Sequence, residues 1–493
     1  MIPVNLRHFV VVVLLLLALP VSTVAQDATP ATDLDLSTEA GLLAYQAAQA
    51  KVTAKDVGLP EGFDLELVAN GLSFPSAVAV APDGTVYAAL SGWAGGTPEI
   101  VLITPDGSIT TVAAAGLLPP ITGITVGPDE LLYVTYPGAV AVVDPATGTV
   151  TPILAGLPGM GNHQNNHLAF GPNGWAYFGI GSQTNSMVVG LDDILAGWVQ
   201  QFPEVSDVPC RDITLAAEPF ETTNPLTADP NDKGMTSPYH PFGVAVDPGT
   251  VVPGATTCTG SVLRFRPEDP GGTLEVFAWG FRNPYSVAVD ESGVVWVVEN
   301  GADVRGSRPI DNAPDNLWRL EEKDAGAWFG YPDFISGIPV TDPRFMAPGA
   351  QPLGFLIANH DDLLDGKDAP PTPFATWAPH DATAIAAIAP EGWGEMAGDI
   401  FVAHHGDFAP VTGPVEQPFP GKVDRVDPET GAIEDFLTNP SPGPAGGEPE
   451  RPAGLASAPD GSLYVADLGV IEGSTAGLIP RPNSGAIWRV VSR

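Results

Sequence analysis

The chain has 493 residues, with 58 acidic side chains against 20 lysines and arginines and a formal net charge of −38. Nucleic acids and anionic membrane surfaces bind basic faces, so this charge disfavours both as partners. The 56 glycines and 53 prolines lie between apolar runs, which is typical of turns in a folded chain and not of disorder.

The N-terminus has the pattern of a secretion signal. Arg7 and His8 precede an unbroken apolar run at residues 9–19, and Thr23-Val24-Ala25 fits a cleavage site. The run is short for a membrane span. We therefore predict that residues 1–25 are removed and that the mature chain is secreted or periplasmic, without an integral membrane segment. An uncleaved anchor is the alternative.

The next segment is predicted to be a linker and a short helix, over residues 26–58. Residues 26–35 are polar and acidic, whereas residues 37–55 are rich in alanine and begin with a Ser-x-Glu start. From residue 59 to residue 493 the pattern changes to apolar runs of four to eight residues between turns, which predicts one β domain.

A strand–turn–strand phrase recurs in this domain, at residues 77–90, 121–134, 167–180, 287–298 and 455–466. Recurrence of this kind indicates a repeat architecture. Further strand-like sequence follows each copy, and four strands per repeat is a propeller blade. In the fourth copy, residues 316–320 are followed by the Gly-Tyr-Pro stretch at Gly330.

A degenerate copy completes the set, with strands predicted at residues 384–389, 399–403, 422–426 and 432–437. We therefore predict an all-β fold, a six-bladed β-propeller with four-stranded antiparallel blades. The early strand at residues 63–69 is expected to complete the last blade and close the ring. Residues 183–253, 303–315 and 330–376 are predicted to be long loops on one face, where they cover or build a site.

The chain has two cysteines, Cys210 and Cys258. An even count in an exported chain favours one disulfide, which would hold the ends of a long insertion together. Two unpaired thiols are the alternative.

Aligning the copies on their turns brings polar residues to one mouth of the central channel. Counting back from the second turn residue, His163 and Arg282 occupy one equivalent position, and Asn283 and Arg451 occupy the next. His380 precedes the degenerate copy at a similar point. Guanidinium groups pair with carboxylates, and a neutral imidazole accepts a proton from a hydroxyl group. The set predicts an anionic ligand beside a base, although Arg282 and His163 also fit purely structural roles.

Other patterns are weaker. His163 and His167 are four residues apart but lie on a turn and a strand, so we expect no helical zinc pair. His404 and His405 follow a predicted strand at a blade end, on the same rim. Asn300-Gly301 offers backbone carbonyls to a hard cation. A Ser-His-Asp hydrolase is not expected, because the chain has no nucleophile elbow.

At these residues the chain resembles the glucose/sorbosone dehydrogenase family of quinoproteins. These proteins are six-bladed propellers that use pyrroloquinoline quinone (PQQ) and calcium. The resemblance runs from about Leu59 to the C-terminus, and the sorbosone-like branch is the more similar. Its strongest stretches are residues 161–182, 281–301, 399–407, 451–467 and 487–489.

The resemblance implies an exported sugar dehydrogenase that oxidises a sugar or a related alcohol or aldehyde. His163 matches the base, Arg282 and Asn283 match residues that contact the cofactor, and Arg451 matches a contact to a cofactor carboxylate. The backbone of Gly301 and Ala302 matches the calcium site. The chain has no Cys-x-x-Cys-His haem motif, so electrons would leave to a separate acceptor.

The chain departs from the family pattern at three named positions. Ser182 stands where the glucose-oxidising branch has an aspartate that supports the base, Ala302 replaces a proline, and Ala453 replaces a second cofactor arginine. Residues 401–407 also lack the lysine of that branch. Two further hypotheses stay open: a non-catalytic propeller that binds a protein or glycan, and a calcium-dependent lactonase using Glu299 and Asp315.

Overall fold

The protein is described by a computed structural model that covers residues 34–408, 411–412, 420–443, 446–474 and 477–493. The predicted signal at residues 1–25 lies outside the described residues, and so does most of the predicted linker. Within the described ranges, no helix has both the length and the apolar character needed to cross a membrane.

Six β-sheets form the predicted propeller, and the first strand of each blade lies innermost. Blades 1 and 2 contain Pro75–Val80, Val86–Leu90, Glu99–Ile103 and Ile109–Ala113, then Gly123–Val126, Leu132–Tyr136, Ala139–Asp144 and Thr149–Ala155. Blades 3 and 4 contain Asn165–Phe170, Ala176–Ile180, Ser261–Phe265, Glu275–Trp279 and Ala327–Trp328, then Asn283–Val289, Val295–Asn300, Asp315–Leu320 and Ala375–Trp377. Blades 5 and 6 contain Thr383–Ile388, Ile400–His404, Lys422–Val426 and Ile433–Thr438, then Pro452–Ser457, Leu463–Asp467, Gly485–Ser492 and Phe63–Leu72.

The ring closes in blade 6, as predicted. Strand Phe63–Leu72 runs antiparallel to strand Gly485–Ser492, with Phe63 opposite Ser492 and Leu72 opposite Gly485. The innermost strands contact one another in sequence order around the channel, and the last of them, in blade 6, contacts the first, in blade 1. One continuous ring therefore carries every residue of the predicted rim.

The outer part of blades 3 and 4 differs from the sequence prediction. Blade 4 ends with Ala375–Trp377, not with the stretch at Gly330. Ala327–Trp328 instead adds a fifth strand to blade 3, parallel to Glu275–Trp279. Gly330 has a φ of +107°, which only glycine adopts readily, and the chain turns away there into the long loop.

The helices are short and few in this β-rich chain. The predicted N-terminal helix spans Glu39–Gln49, where the Thr38 side chain caps it by accepting from Gly41 N at 3.1 Å. The remaining α-helices are Leu191–Leu195, Trp198–Gln201, Pro270–Thr273 and His360–Leu363. Short 3₁₀ turns span Trp93–Gly95, Glu322–Asp324, Pro343–Phe345 and Glu391–Met396.

The long loops fold into a layer with its own apolar core. Buried side chains from all three loops pack together, among them Ile213, Ile310, Phe345 and Ile357. Small two-stranded sheets stiffen the loops: Ile213–Thr214 with Val251–Val252, Phe220–Thr223 with Lys233–Thr236, and Phe334–Ile335 with Ile338–Pro339. A further pair, Ile471–Ser474 with Gly477–Pro480, projects from blade 6. The predicted disulfide joins Cys210 to Cys258.

Candidate active site

A cavity of about 270 Å³ opens at the channel mouth. Eight residues singled out from the sequence line it: His163, Arg282, Asn283, Asn300, Gly301, Asp315, His380 and His405. Most of them lie at the starts of the first strands of blades 3, 4 and 5 or at the end of a second strand, segments that are far apart in the sequence. His163, Arg282 and Asn283, which the alignment of the repeats places on one rim, thus lie around one cavity in the structure.

His163 is held as a neutral imidazole. Its Nδ1 lies 2.6 Å from the backbone carbonyl oxygen of Ser182, which only accepts hydrogen bonds, so Nδ1 carries the proton. The Nε2 atom of the neutral ring is then the acceptor. Burial, followed by the charges of Arg282 and Arg305, holds the pKa of His163 well below its usual value. The imidazole therefore stays unprotonated and ready to accept a proton at neutral pH.

Ser182 orients the His163 ring through its backbone. Besides the carbonyl contact, the Ser182 Oγ lies 3.3 Å from His163 Nδ1, and Ser182 N donates to the Arg282 carbonyl at 2.7 Å. The hydrogen-bond partner of His163 Nδ1 is therefore a backbone carbonyl of Ser182. The Ser182 carbonyl and the charge of Asp303 favour the imidazolium form of His163, but burial and the two guanidinium charges outweigh them.

A chain of asparagine amides crosses the floor of the cavity. Asn166 Nδ2 donates to Asn283 Oδ1 at 2.8 Å, and Asn283 Nδ2 donates to Asn300 Oδ1 at 2.9 Å. Asn300 Nδ2 continues to the backbone carbonyl of Thr383 at 2.6 Å. Each amide orientation is fixed by the next, so Asn283 is locked across three blades.

Arg282 and Arg305 share one carboxylate. Arg282 Nη2 donates to Asp303 Oδ2 at 2.7 Å, and Arg305 Nε donates to the same oxygen at 2.9 Å. Burial alone would raise the pKa of Asp303, but the two guanidinium charges hold it well below its usual value. Asn185 completes the cluster, because its Oδ1 accepts from Arg282 Nη2 at 2.9 Å. Arg282 is therefore a rigid donor, with its side chain only 4% exposed.

His380 faces the other oxygen of the same carboxylate. Its Nδ1 lies 3.5 Å from Asp303 Oδ1. Burial opposes the imidazolium, but the hydrogen bond and charge of Asp303 raise the pKa of His380 overall. The two histidines of the cavity therefore differ in charge, because the pKa of His163 is lowered and that of His380 is raised.

The backbone at Gly301 is crowded by oxygen atoms. Gly301 N donates to Asp315 Oδ1 at 2.8 Å. A Cβ on Gly301 would lie 2.4 Å from the carbonyl oxygen of Ala313 and 2.6 Å from that of Pro314, so only glycine fits. Ala302 does not line the main cavity; it lines a small neighbouring pocket together with Gly301 and Arg282.

Arg451 lies behind the cavity wall and not on it. Its Nη1 donates to the carbonyl oxygens of His405, Gly406 and Asp407 at 2.6, 3.3 and 3.1 Å. Its guanidinium carbon lies 5.0 Å from the centre of the Phe408 ring. Since His405, Asp407 and Phe408 do line the cavity, Arg451 positions that wall. The predicted direct contact of Arg451 with a ligand stays a prediction.

The alignment missed the residues that belong to loops. Asp303 and Arg305 lie in the predicted loop at residues 303–315, and Asn185 lies in the excursion inside blade 3. Neither loop recurs in the other blades, so an alignment of the repeats cannot assign positions to these side chains. The one available signal was Arg305 itself, since the chain has only 20 basic residues and a face loop carries this one.

No protein-family model matches the chain, and no curated protein matches its sequence. Solved structures do match the fold. The holo PQQ domain of pyranose dehydrogenase from Coprinopsis cinerea is 16% identical with a TM-score of 0.55, over 89% of this chain and 97% of that one. The calcium structure of the family AA12 carbohydrate-active enzyme from Trichoderma reesei is 14% identical with a TM-score of 0.54, over 89% of this chain and 97% of that one. At these identities the likeness establishes that the chain shares their propeller fold.

Proposed function

We propose that this protein is an exported oxidoreductase that oxidises a sugar, or a related alcohol or aldehyde, with PQQ and calcium in the cavity. The observation that carries the proposal is the neutral His163 beside Arg282 and Asn283. A base, a guanidinium and an amide converge there on a cavity at the mouth of the channel. The similar structures of a PQQ domain and of a calcium-bound enzyme support the same reading.

The donors of the cavity fit a planar, anionic quinone. Arg282, Arg305 and His380 bring positive charge, and Tyr285 and Phe408 offer aromatic faces. Asp303 offsets part of that charge, and Asp315 and Asp407 also line the cavity, so uncharged donors such as the Asn283 amide would supply a larger share of the contacts. The fit for calcium rests on the carbonyl oxygens packed around Gly301, since calcium prefers oxygen ligands.

Each residue has a distinct task. Bound PQQ would accept the hydride from the substrate carbon. His163 Nε2 would accept the proton of the substrate hydroxyl group, because Nδ1 is occupied by the Ser182 carbonyl. Arg282 and Asn283 would hold the oxygen-bearing edge of the cofactor in place, since both are fixed by their own hydrogen bonds.

Export and a separate electron acceptor belong to the same proposal. The disulfide between Cys210 and Cys258 agrees with an oxidising compartment. The lactonase hypothesis has less support, because Glu299 already accepts from Arg282 N, Asn316 Nδ2 and Trp318 Nε1. That carboxylate has few lone pairs left for a metal ion.

The decisive experiment is reconstitution of the mature chain with PQQ and calcium. Calorimetry should show PQQ binding, and a dye-reduction assay over a sugar panel should show turnover. His163→Gln should lower kcat by about 10²- to 10⁴-fold while PQQ stays bound. His167→Gln, a buried histidine outside the cavity, is the matched control and should keep its turnover.

Two results would contradict the proposal. If the wild-type chain fails to bind PQQ in the presence of calcium, the oxidoreductase assignment is wrong, and a non-catalytic binding propeller becomes the better reading. If His163→Gln keeps its turnover, another group is the base.

A further inference from the structure

Three ligand-type side chains meet behind the wall of the cavity, in blade 5. His404 ends the second strand, Asp424 lies on the third strand, and Asp381 comes two residues before the first strand. His404 is opposite Thr383 and Val402 is opposite Asp424, so the three residues share one end of the sheet. The cavity is lined instead by the alternate residues His380, Ala382 and His405.

The three side chains are close together and buried. His404 Nδ1 lies 3.5 Å from Asp381 Oδ2, and His404 Nε2 lies 3.3 Å from Asp424 Oδ2. One ligand atom of each residue lies within 4.8 Å of those of the other two. The exposed fractions of the side chains are 0% for His404, 6% for Asp381 and 0% for Asp424.

Despite these short distances, no hydrogen bond joins the three side chains to one another in the part of the chain that the structure describes. Neither ring nitrogen of His404 has a hydrogen-bond partner there, and the same holds for Asp381 Oδ1 and Asp424 Oδ1. Buried polar atoms are nearly always paired, because each unpaired one costs about 1–3 kcal/mol. Four such atoms in one buried cluster, with a His404 nitrogen next to each carboxylate, indicate that a further group binds there.

The contacts of the cluster with its other polar neighbours leave these four atoms without partners. Lys422 Nζ lies 3.0 Å from Asp424 Oδ2, and Trp377 Nε1 donates to the same oxygen at 2.8 Å. Both therefore serve one oxygen of one carboxylate. A bound metal ion would hold both carboxylates in their ionised form, and together with the charged Lys422 they would then carry one net negative charge, which suits a cation and not an anion.

We propose that Asp381, His404 and Asp424 form a binding site for a divalent transition-metal cation, with Zn²⁺ as the best match. One ligand atom of each residue lies within 4.8 Å of the other two, so a small inward shift of the side chains would bring one His404 nitrogen and two carboxylate oxygens to the distances of about 2.0–2.2 Å that zinc requires. An imidazole with two carboxylates suits zinc and similar ions, whereas calcium takes oxygen ligands almost alone.

The ion would fasten the second and third strands of blade 5 to the segment before its first strand. That segment carries His380, and the residue after His404 is His405, so the ion would brace one wall of the cavity from behind. The site is distinct from the oxygen-lined position at Gly301. It does not rest on the proposed oxidoreductase activity.

Zinc titration of the full chain tests the site without PQQ. The protein is stripped with a chelator, dialysed into excess Ca²⁺ to fill oxygen-only sites, and titrated with Zn²⁺ by calorimetry. We expect one tightly bound Zn²⁺ per chain. Asp381→Asn and His404→Gln should each weaken its binding at least tenfold.

Asp435→Asn is the matched control, because Asp435 contacts Lys422 at 3.1 Å but offers no ligand to the cluster. Its Zn²⁺ affinity should equal that of the wild type. Asp381→Asn is nearly isosteric and is the variant to read if His404→Gln does not fold. A wild-type chain that binds no Zn²⁺ would overturn the site, as would an unchanged affinity in Asp381→Asn.

Discussion

At the residue scale, Gly181 allows His163 and Asn283 to approach each other. A Cβ on this glycine would lie 2.3 Å from His163 Cβ and 2.6 Å from Asn283 Oδ1. Contacts this short do not occur, so any side chain at this position must push the base or the amide aside. The identity of one glycine thus sets the geometry between the proposed base and a proposed cofactor contact.

We predict that Gly181→Ala lowers PQQ-dependent turnover by about 10²-fold, since a displacement of about 1 Å in a reacting group has effects of that size. Turnover is measured by dye reduction, and thermal unfolding reports whether the fold survives. Gly271→Ala is the control, because a Cβ there meets nothing within 4 Å. Equal turnover in both variants would show that Gly181 does not position the base.

A second residue-scale prediction concerns pH. His167 is buried between blades, with Nε2 3.3 Å from Thr125 Oγ1 and Nδ1 3.3 Å from the Val287 carbonyl. Burial lowers the pKa of His167 to about 4, against about 6.5 in an unfolded chain. The folded state therefore favours the neutral ring. The contribution of the neutral His167 ring to the free energy of unfolding is complete above pH 6.5 and is lost as the pH falls towards 4.

His167→Gln cannot titrate, so it should escape this loss. Between pH 7 and pH 4, the free energy of unfolding of the wild type should fall by about 3 kcal/mol more than that of the variant. Chemical denaturation of both proteins at the two pH values measures the difference. If the free energies of unfolding of the two proteins differ by the same amount at pH 7 and at pH 4, the His167 ring is not held neutral by burial.

At the scale of elements, the long excursion inside blade 3 supplies much of the site. Asn185, which orders Arg282 and Asp303, lies at its start, and Cys210 and Cys258 clamp its later part. The sequence predicted the excursion and the disulfide but not these contacts. A repeat assigns a position only to residues that recur, whereas Asn185 occurs once and meets its partners through tertiary packing.

Replacing both Cys210 and Cys258 by alanine should lower the free energy of unfolding by about 4 kcal/mol. The two cysteines are 48 residues apart, and a loop of that length gives this value in the chain-entropy account of disulfides. Thermal and denaturant unfolding measure the loss. A reductant should lower the stability of the wild type and leave the double variant unchanged; an equal effect on both would mean that the bridge does not form.

At the scale of the whole molecule, the ring could be predicted because each blade repeats the same strands and turn. The outer strand of blade 4 was misplaced for a physical reason. Ala375–Trp377 pairs with Asp315–Leu320 only after a long loop has returned, and nothing local marks that partner. The closure at blade 6 was predictable because the strand Phe63–Leu72 precedes the first repeat and has no partner of its own nearby.

That closure carries the last prediction. Phe63 and Leu65 are buried, and the Phe63 ring lies 4.7 Å from Trp393 and 5.2 Å from Phe436 in blade 5. A chain that begins at residue 73 would leave Gly485–Ser492 as an open sheet edge. We expect a lower Tm and concentration-dependent self-association, seen by thermal unfolding and light scattering.

A synthetic peptide of residues 60–73 should restore the Tm of this shortened chain in a concentration-dependent way, because it supplies the missing strand in trans. The matched peptide with Phe63→Asp and Leu65→Asp keeps the backbone donors but loses the two buried side chains, so it should not restore the Tm. If the shortened chain were as stable as the intact one, the strand would not be what closes the ring. Rescue by both peptides would show that backbone pairing alone closes it, without the apolar contacts to blade 5.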